Sequence, residues 1–529
     1  TPVDPNNPTI TEVEAWKNTN LSLLDQTNGT QLVYFVVGDG GSCDNPDFTW
    51  TLNKGSELIT LSNKRVYDSN TIYVDTQKGS NVTGLRGYVE NPFKNFTNAL
   101  AVYQNNDWIK YGNTNENING VNIAPAATTH YYDFGDGNIT VNAGGNAFIG
   151  NHNTIDLEER KVNVVSRGLL SINKAFYFNR NGDINIDANI VNTSQFLIVS
   201  KSNANINIKK LIGTNVNYPV GFFSGSDKSI AINIDDVIIN KNTSTPAFSA
   251  GIVAIETREE NTVNLKANIN FKNVVLNSVN GMVLTLTPQS GFSLINTKVG
   301  LNIGNLQNIS PTYDPITNNQ YVFSLFLFTT NVNANFENCF FNYNIDNIES
   351  DLSLISNINT CTFINTNYNF NIRGKCVINK GYILKQTGIE TLDNSKFTFT
   401  GDYFHTNSTI EPILINNLTL INGSEILFDG NFKAGSNISL QGINLDATSK
   451  IVFKGKYDLG NGYFDISGVT GAGADNIYFE DCTIITNNAE CIVSGTAKNI
   501  KVLNVRSNKI VNSNITELIQ SITVNSTIN

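Results

Sequence analysis

An apolar–polar–apolar triplet returns along most of this chain. It stands at Ile184-Asn185-Ile186, Ile206-Asn207-Ile208, Ile232-Asn233-Ile234, Ile269-Asn270-Phe271 and Leu301-Asn302-Ile303, and related runs follow at Asn335-Phe336-Glu337, Ile426-Leu427-Phe428, Ile451-Val452-Phe453 and Ile477-Tyr478-Phe479. Many units carry a second apolar pair a few residues on, as at Val237-Ile238, Val274-Val275, Phe340-Phe341 and Ile484-Ile485. The spacing, roughly 20–35 residues, is that of one rung of a solenoid. A single short strand cannot bury its apolar side alone. Coiling the chain and stacking equivalent strands buries Ile, Val and Phe in a continuous core, and backbone groups then pair between rungs about 4.8 Å apart. The expected fold is all-β, a right-handed parallel β-helix. About 15 rungs would give a rod on the order of 70 Å long.

The polar residues suit the same architecture. Charged residues are only 15% of the 529-residue chain, against roughly 25% in ordinary soluble domains. Asn, Thr and Ser carry the polar load instead. Asn amides hydrogen-bond in ladders along stacked strands, whereas like charges at strand spacing repel. The net charge of -10 weighs against nucleic acid or an anionic membrane as partner, since both call for a basic face. There is no long apolar run for a transmembrane helix. Thr1-Pro2-Val3-Asp4-Pro5 shows no basic or apolar region of an export signal.

Three divisions are expected. Residues 1–70 read as a small β-rich docking module, with a short helix through Trp16 and strand candidates at Gln31–Val37, Phe48–Leu52 and Glu57–Leu61. Residues 71–110 read as strand, loop and helix. Ile72-Tyr73-Val74 is the strand, Gly79, Gly84 and Gly87 punctuate the loop, and Phe93, Phe96, Ala99, Leu100 and Tyr103 recur at helical spacing. Such a helix would cover the open end of the solenoid. Residues 111–529 form the β-helix, closed by a C-terminal cap.

Candidate chemistry is sparse. Asp458, Asp465, Glu480 and Asp481, with Asp475, form an acidic set, and paired carboxylates are what glycoside hydrolysis requires. One rung of separation would let Asp458 and Glu480 meet on one face. His130, Asp133, Asp136 and His152 form a second set, although Gly135-Asp136-Gly137 is equally an ordinary turn. Tyr313, Tyr321, Tyr403, Tyr457 and Tyr463 are candidate sugar-stacking platforms. The six cysteines include no C-x-x-C pair and the three histidines are scattered, so no metal site and no cofactor are expected. Cys339 and Cys361 sit in similar contexts one rung apart and are expected to stack as buried small residues rather than to form a disulfide.

The motifs Tyr73-Val74-Asp75, Gly79, Thr83-Gly84, Arg86-Gly87, Asn91-Pro92-Phe93-Lys94 and Ala99-Leu100, followed by a repetitive β array, resemble the opening of the pectin-lyase-like β-helix proteins of bacteriophage tail spikes and tail fibres. That resemblance covers under roughly a tenth of the chain by motif and most of the rest by repeat character. It implies a virion protein, a homotrimer, attachment to tail or head proteins through the N-terminal module, and contact with a host surface polysaccharide. No catalytic residue carries over, because the matched motif is structural and no calcium or arginine motif of the pectate lyases is present. The leading expectation is a non-enzymatic fibre that binds a host glycan. A polysaccharide depolymerase acting through the 458–481 set is the alternative, and a bacterial surface adhesin the second.

Overall fold

The computed structural model describes residues 68–494 apart from stretches in several loops, a strand pair within 47–64, and two short strands between 503 and 524. The expected helix near Trp16, the strand Gln31–Val37 and the C-terminal cap lie largely outside the described residues. Asp47–Lys54 and Glu57–Lys64 pair antiparallel. Nearly all remaining pairing is parallel, in three long sheets. The first runs open-ended from Thr71–Val74 to Ile522–Val524, each strand pairing with the equivalent strand of the next coil. The second spans Asn146–Phe148 to Gly281–Thr287. The third has two branches that join on the long strand Ile413–Ile421 and continue to Val493–Ser494. Long parallel sheets stacked in this way are compatible with a parallel β-helix or solenoid.

Each long strand of the first sheet serves two faces. In Phe340–Ser350 the side chains of Phe341, Tyr343 and Ile345 point inward, Asp346 and Asn347 both point outward, and Ile348 resumes the core. Two outward residues in succession break the period of two, so the strand bends there. The same break recurs at Gly304-Asn305 and at Arg373-Gly374-Lys375. Later coils turn this corner on stacked glycines. Gly401, Gly430 and Gly455 are register partners, Gly401 and Gly455 have φ of 119° and 90°, and a Cβ on Gly430 would collide with the carbonyl oxygen of Gly401.

The interior is a set of axial stacks. Phe399, Phe428, Phe453 and Phe479 lie face to face at 5.2–5.4 Å between ring centroids. Tyr403, Phe432 and Tyr457 do the same at 4.7 and 5.0 Å. Tyr403 and Tyr457 are therefore core residues and not sugar platforms. At the corner entering the first sheet, Asn296, Asn338, Asn365 and Asn394 take left-handed backbone angles, which Asn tolerates better than most residues. The residue after each points inward, giving a column Thr297, Cys339, Thr366 and Ser395 that continues to Ser424 and Ser449. Its hydroxyls accept from the backbone of the preceding coil: Cys339 N–H to Thr366 Oγ1 at 3.3 Å, Thr366 N–H to Ser395 Oγ at 2.9 Å, Ser395 N–H to Ser424 Oγ at 3.0 Å. Buried corner amides are satisfied in this way.

Cys339 thus belongs to a small-residue ladder, but Cys361 is not its neighbour. Cys361 pairs in register with Ala334 and Glu390 in the third sheet. The two similar sequence contexts sit at different positions around the coil. Cys339, Cys361, Cys376 and Cys482 are free and buried, while Cys43 and Cys491 lie outside the described residues. Burial pushes the Cys339 thiol up to about 11 and those of Cys376 and Cys482 higher still. Mass-spectrometric mapping with a thiol reagent at pH 8 should therefore find these four unmodified in the native protein and modified in guanidinium. Native labelling of any one would contradict the packing.

The helix, α1, is Phe96–Ala101, capped by Asn95, whose side chain accepts from Asn98 N–H at 3.0 Å. It is shorter than its periodicity suggested. Phe93 pairs with Val74 as an isolated bridge, and Tyr103 follows the cap at Val102. Phe96 and Ala99 are buried, and Phe96 meets Tyr132 at 5.7 Å. The loop before it is anchored by Arg86, which donates two hydrogen bonds, of 2.7 and 2.6 Å, to the buried carboxylate of Asp107.

Candidate functional site

The outward positions of the first sheet place asparagines of successive coils in one row. Asn207, Asn233, Asn270, Asn302, Asn344 and Asn371 are register partners, and Thr400 closes the row. Asn233 Nδ2 donates to Asn207 Oδ1 at 2.9 Å, Asn270 to Asn233 at 2.9 Å, and Asn302 to Asn270 at 2.8 Å. Asn344 and Asn371 continue at 3.3 Å, and Thr400 Oγ1 donates to Asn371 Oδ1 at 2.7 Å. All the amides point the same way along the stack. An amide has two N–H donors and two acceptor lone pairs. The ladder uses one of each, which leaves a donor and an acceptor per residue for what lies outside.

A second ladder runs beside it beyond the bend. Asn273 donates to Asp236 Oδ1 at 2.9 Å, Asn305 to Asn273 at 3.1 Å, and Asn347 to Asn305 at 3.2 Å. Between the two ladders lie the bend residues Asp235, Lys272 and Gly304. With Asn233, Asn270 and Asn302 they line a shallow groove of about 260 Å³. Gly304 carries no side chain into this space. Arg373 also lines the groove and is held by Asp346 at 2.7 Å from its Nε. The arrangement offers closely spaced donor–acceptor pairs to a hydroxyl-rich polymer lying along the coil axis.

The acidic candidates are not brought together. Asp458 ends the strand Lys450–Asp458 and is in register with Ile485, whereas Glu480 is in register with Lys454. The positions of Asp458 and Glu480 are thus separated by about 15 Å along the strands. Glu480 Oε2 lies 3.1 Å from Lys454 Nζ. Asp481 occupies a left-handed bulge with φ of 48°. Asp465 belongs to the third sheet, where it accepts from Gln441 Nε2 at 2.8 Å and from Ser467 Oγ at 2.6 Å. Asp475 sits in the turn before Ile477.

In the other set, Asp133 and Asp136 both pair with Arg167, at 3.4 and 2.7 Å. His130 is buried, with its ring 4.9 Å from that of Tyr103. His152 lies in a separate strand, His152–Asp156, of the second sheet. Tyr321 lies in a third-sheet strand, Tyr463 is half-buried before Phe464, and Tyr313 is outside the described residues. Among the described residues, no group of His, Cys, Asp or Glu is placed to hold a metal ion, and no helix is long and apolar enough to cross a membrane.

The sequence signals amide ladders through its Asn content but not which asparagines align. Successive ladder members are 26, 37, 32, 42, 27 and 29 residues apart. The chain matches no protein family, no curated protein and no solved structure.

Proposed function

We propose that this chain is a right-handed parallel β-helix fibre of the bacteriophage tail-spike kind, which binds a host surface polysaccharide along its asparagine-lined flank without cleaving it. The observation that carries the reading is the aligned ladder Asn207–Thr400 with the groove beside it. A polysaccharide is itself an axial array of hydroxyls, each both donor and acceptor, so it complements the spare donor and acceptor of each ladder amide. A stacked coil supplies that array rigidly, which limits the ordering cost of binding. In the same reading, residues 1–70 attach the chain to the particle, α1 seals the first coil, and three copies assemble.

The test is binding to polysaccharide from the host surface. Replacing Asn233, Asn270 and Asn302 together by alanine is expected to weaken binding at least tenfold in a glycan pull-down or by calorimetry. The melting transition should remain cooperative, since only solvent-facing amides are removed. Undiminished binding by a folded triple variant would refute this site. Release of oligosaccharide from the glycan during the assay would replace a binding fibre by a depolymerase.

A further inference from the structure

At the start of the first sheet, the strand Thr71–Val74 pairs with Trp108–Tyr111 along one edge. Its other edge is covered by the loop that precedes α1. Gly87 N–H donates to Thr71 O at 2.8 Å, Phe93 N–H to Tyr73 O at 2.8 Å, and Asp75 N–H to Phe93 O at 2.9 Å. This loop is therefore the outermost layer of the first coil among the described residues. Its surface is apolar. Seven large apolar side chains are exposed among the described residues, and four of them are Val82, Leu85 and Val89 in this loop and Val102 at the end of α1, with Val82 at 78%. Apolar residues exposed singly are ordinary, but a concentration of them on one segment marks a contact surface.

The chain arrives at this loop straight from the antiparallel strand pair Asp47–Lys54 and Glu57–Lys64. Asp68 N–H donates to Gly87 O at 2.9 Å, which fixes the entering chain between Leu85 and Val89. Only Arg65, Val66 and Tyr67 separate Lys64 from Asp68, a reach of at most about 14 Å. The register pairs Phe48 with Asn63, Trp50 with Leu61 and Leu52 with Ile59. Alternation along a strand places Phe48, Trp50, Leu52, Ile59 and Leu61 on one face of this ribbon. The other face holds Thr49, Thr51, Asn53, Thr60 and Ser62, with Leu58 its one large apolar residue. A two-stranded ribbon is marginal on its own, so an apolar face of this size calls for a cover. Eight residues of strand span about 27 Å, enough to lie across the loop.

We propose that the ribbon Asp47–Lys64 folds back onto the loop at residues 82–89 and docks its Phe48, Trp50 and Leu52 face there, with Val102 at the margin. The occupant is the chain's own ribbon because the tether is so short. It holds the two apolar surfaces at a high effective concentration, against which a second copy or another protein must compete. Docked in this way, the ribbon adds a layer to the cap and joins the leader to the first coil as one rigid unit. If the leader attaches the chain to a particle, the rod then follows the orientation of that attachment. The docking itself rests neither on attachment nor on glycan binding.

A photoreactive benzoylphenylalanine placed at Leu85 of the whole purified chain identifies the occupant. Irradiation is expected to attach it to residues 48–61, as read by peptide mass spectrometry, in a product that keeps the mobility of a single chain on a denaturing gel. Hydrogen exchange gives an independent measure. The triple variant Val82→Ser/Leu85→Ser/Val89→Ser should speed exchange of the ribbon amides at least tenfold and leave the strands from Lys161 onward unchanged. Attachment to a second chain, no attachment within 48–61, or unchanged ribbon exchange in a triple variant whose coils keep their protection would each overturn the inference.

Discussion

Replacing Arg86 by methionine is expected to destabilise the first coils by about 3–5 kcal/mol. Asp107 is 1% exposed and accepts both guanidinium bonds, with a third from Gln104 N–H at 2.9 Å. Removing the arginine leaves a buried carboxylate that has lost its counter-charge, and that penalty exceeds the value of the pair itself. Arg86→Lys should recover only part of it, because an ammonium cannot reproduce the two-pronged geometry. The double variant Arg86→Met/Asp107→Leu should recover most of it, because no charge remains buried. Coils of a solenoid contact mainly their neighbours. Hydrogen exchange should therefore show lost protection around residues 68–142 and little change beyond Lys396. A fully protected Arg86→Met protein would mean that the Thr-Gly-x-Arg-Gly loop is not tied to the end of the coil.

The second large effect is expected at Phe453. Its ring sits between Phe428 and Phe479 at 5.4 and 5.2 Å and meets Phe464 edge-on at 4.9 Å. It is wholly buried. Phe453→Ala should cost about 3–5 kcal/mol, the usual toll of a large cavity in a packed core. Phe453→Leu should cost about 1–1.5 kcal/mol, since most of the volume is kept. The axial stack makes the site stringent, because neither neighbouring ring can move into the space without leaving its own partner. Denaturant unfolding of the two variants checks this. Equal and small losses for both would show that the phenylalanines are not stacked in one column.

The parallel coils were legible because the triplets Ile232-Asn233-Ile234 and Leu301-Asn302-Ile303 state both the period of two and the inward residues. The suitability of Asn for ladders was legible from its chemistry. Register was not, because coil lengths vary from 26 to 42 residues along one ladder, and a difference of a few residues in a loop moves every later residue around the coil. That is why Cys339 and Cys361 looked like neighbours and are not, and why Asp458 and Glu480 looked like a pair and fall at separate points along their strands. Tyr403 and Tyr457 were ambiguous for a different reason. An alternating strand presents tyrosine equally well to a core or to solvent, and only their alignment with Phe432 assigns them to the core.

The most direct test of the account is a side-chain-resolution cryo-EM reconstruction of the purified chain with a bound host oligosaccharide. The account predicts parallel coils about 4.8 Å apart, Asn207 to Thr400 in a single outward row, and sugar density along the groove at Asn233, Asn270 and Asn302. Antiparallel pairing of these strands, or ladder asparagines dispersed around the coil, would contradict it.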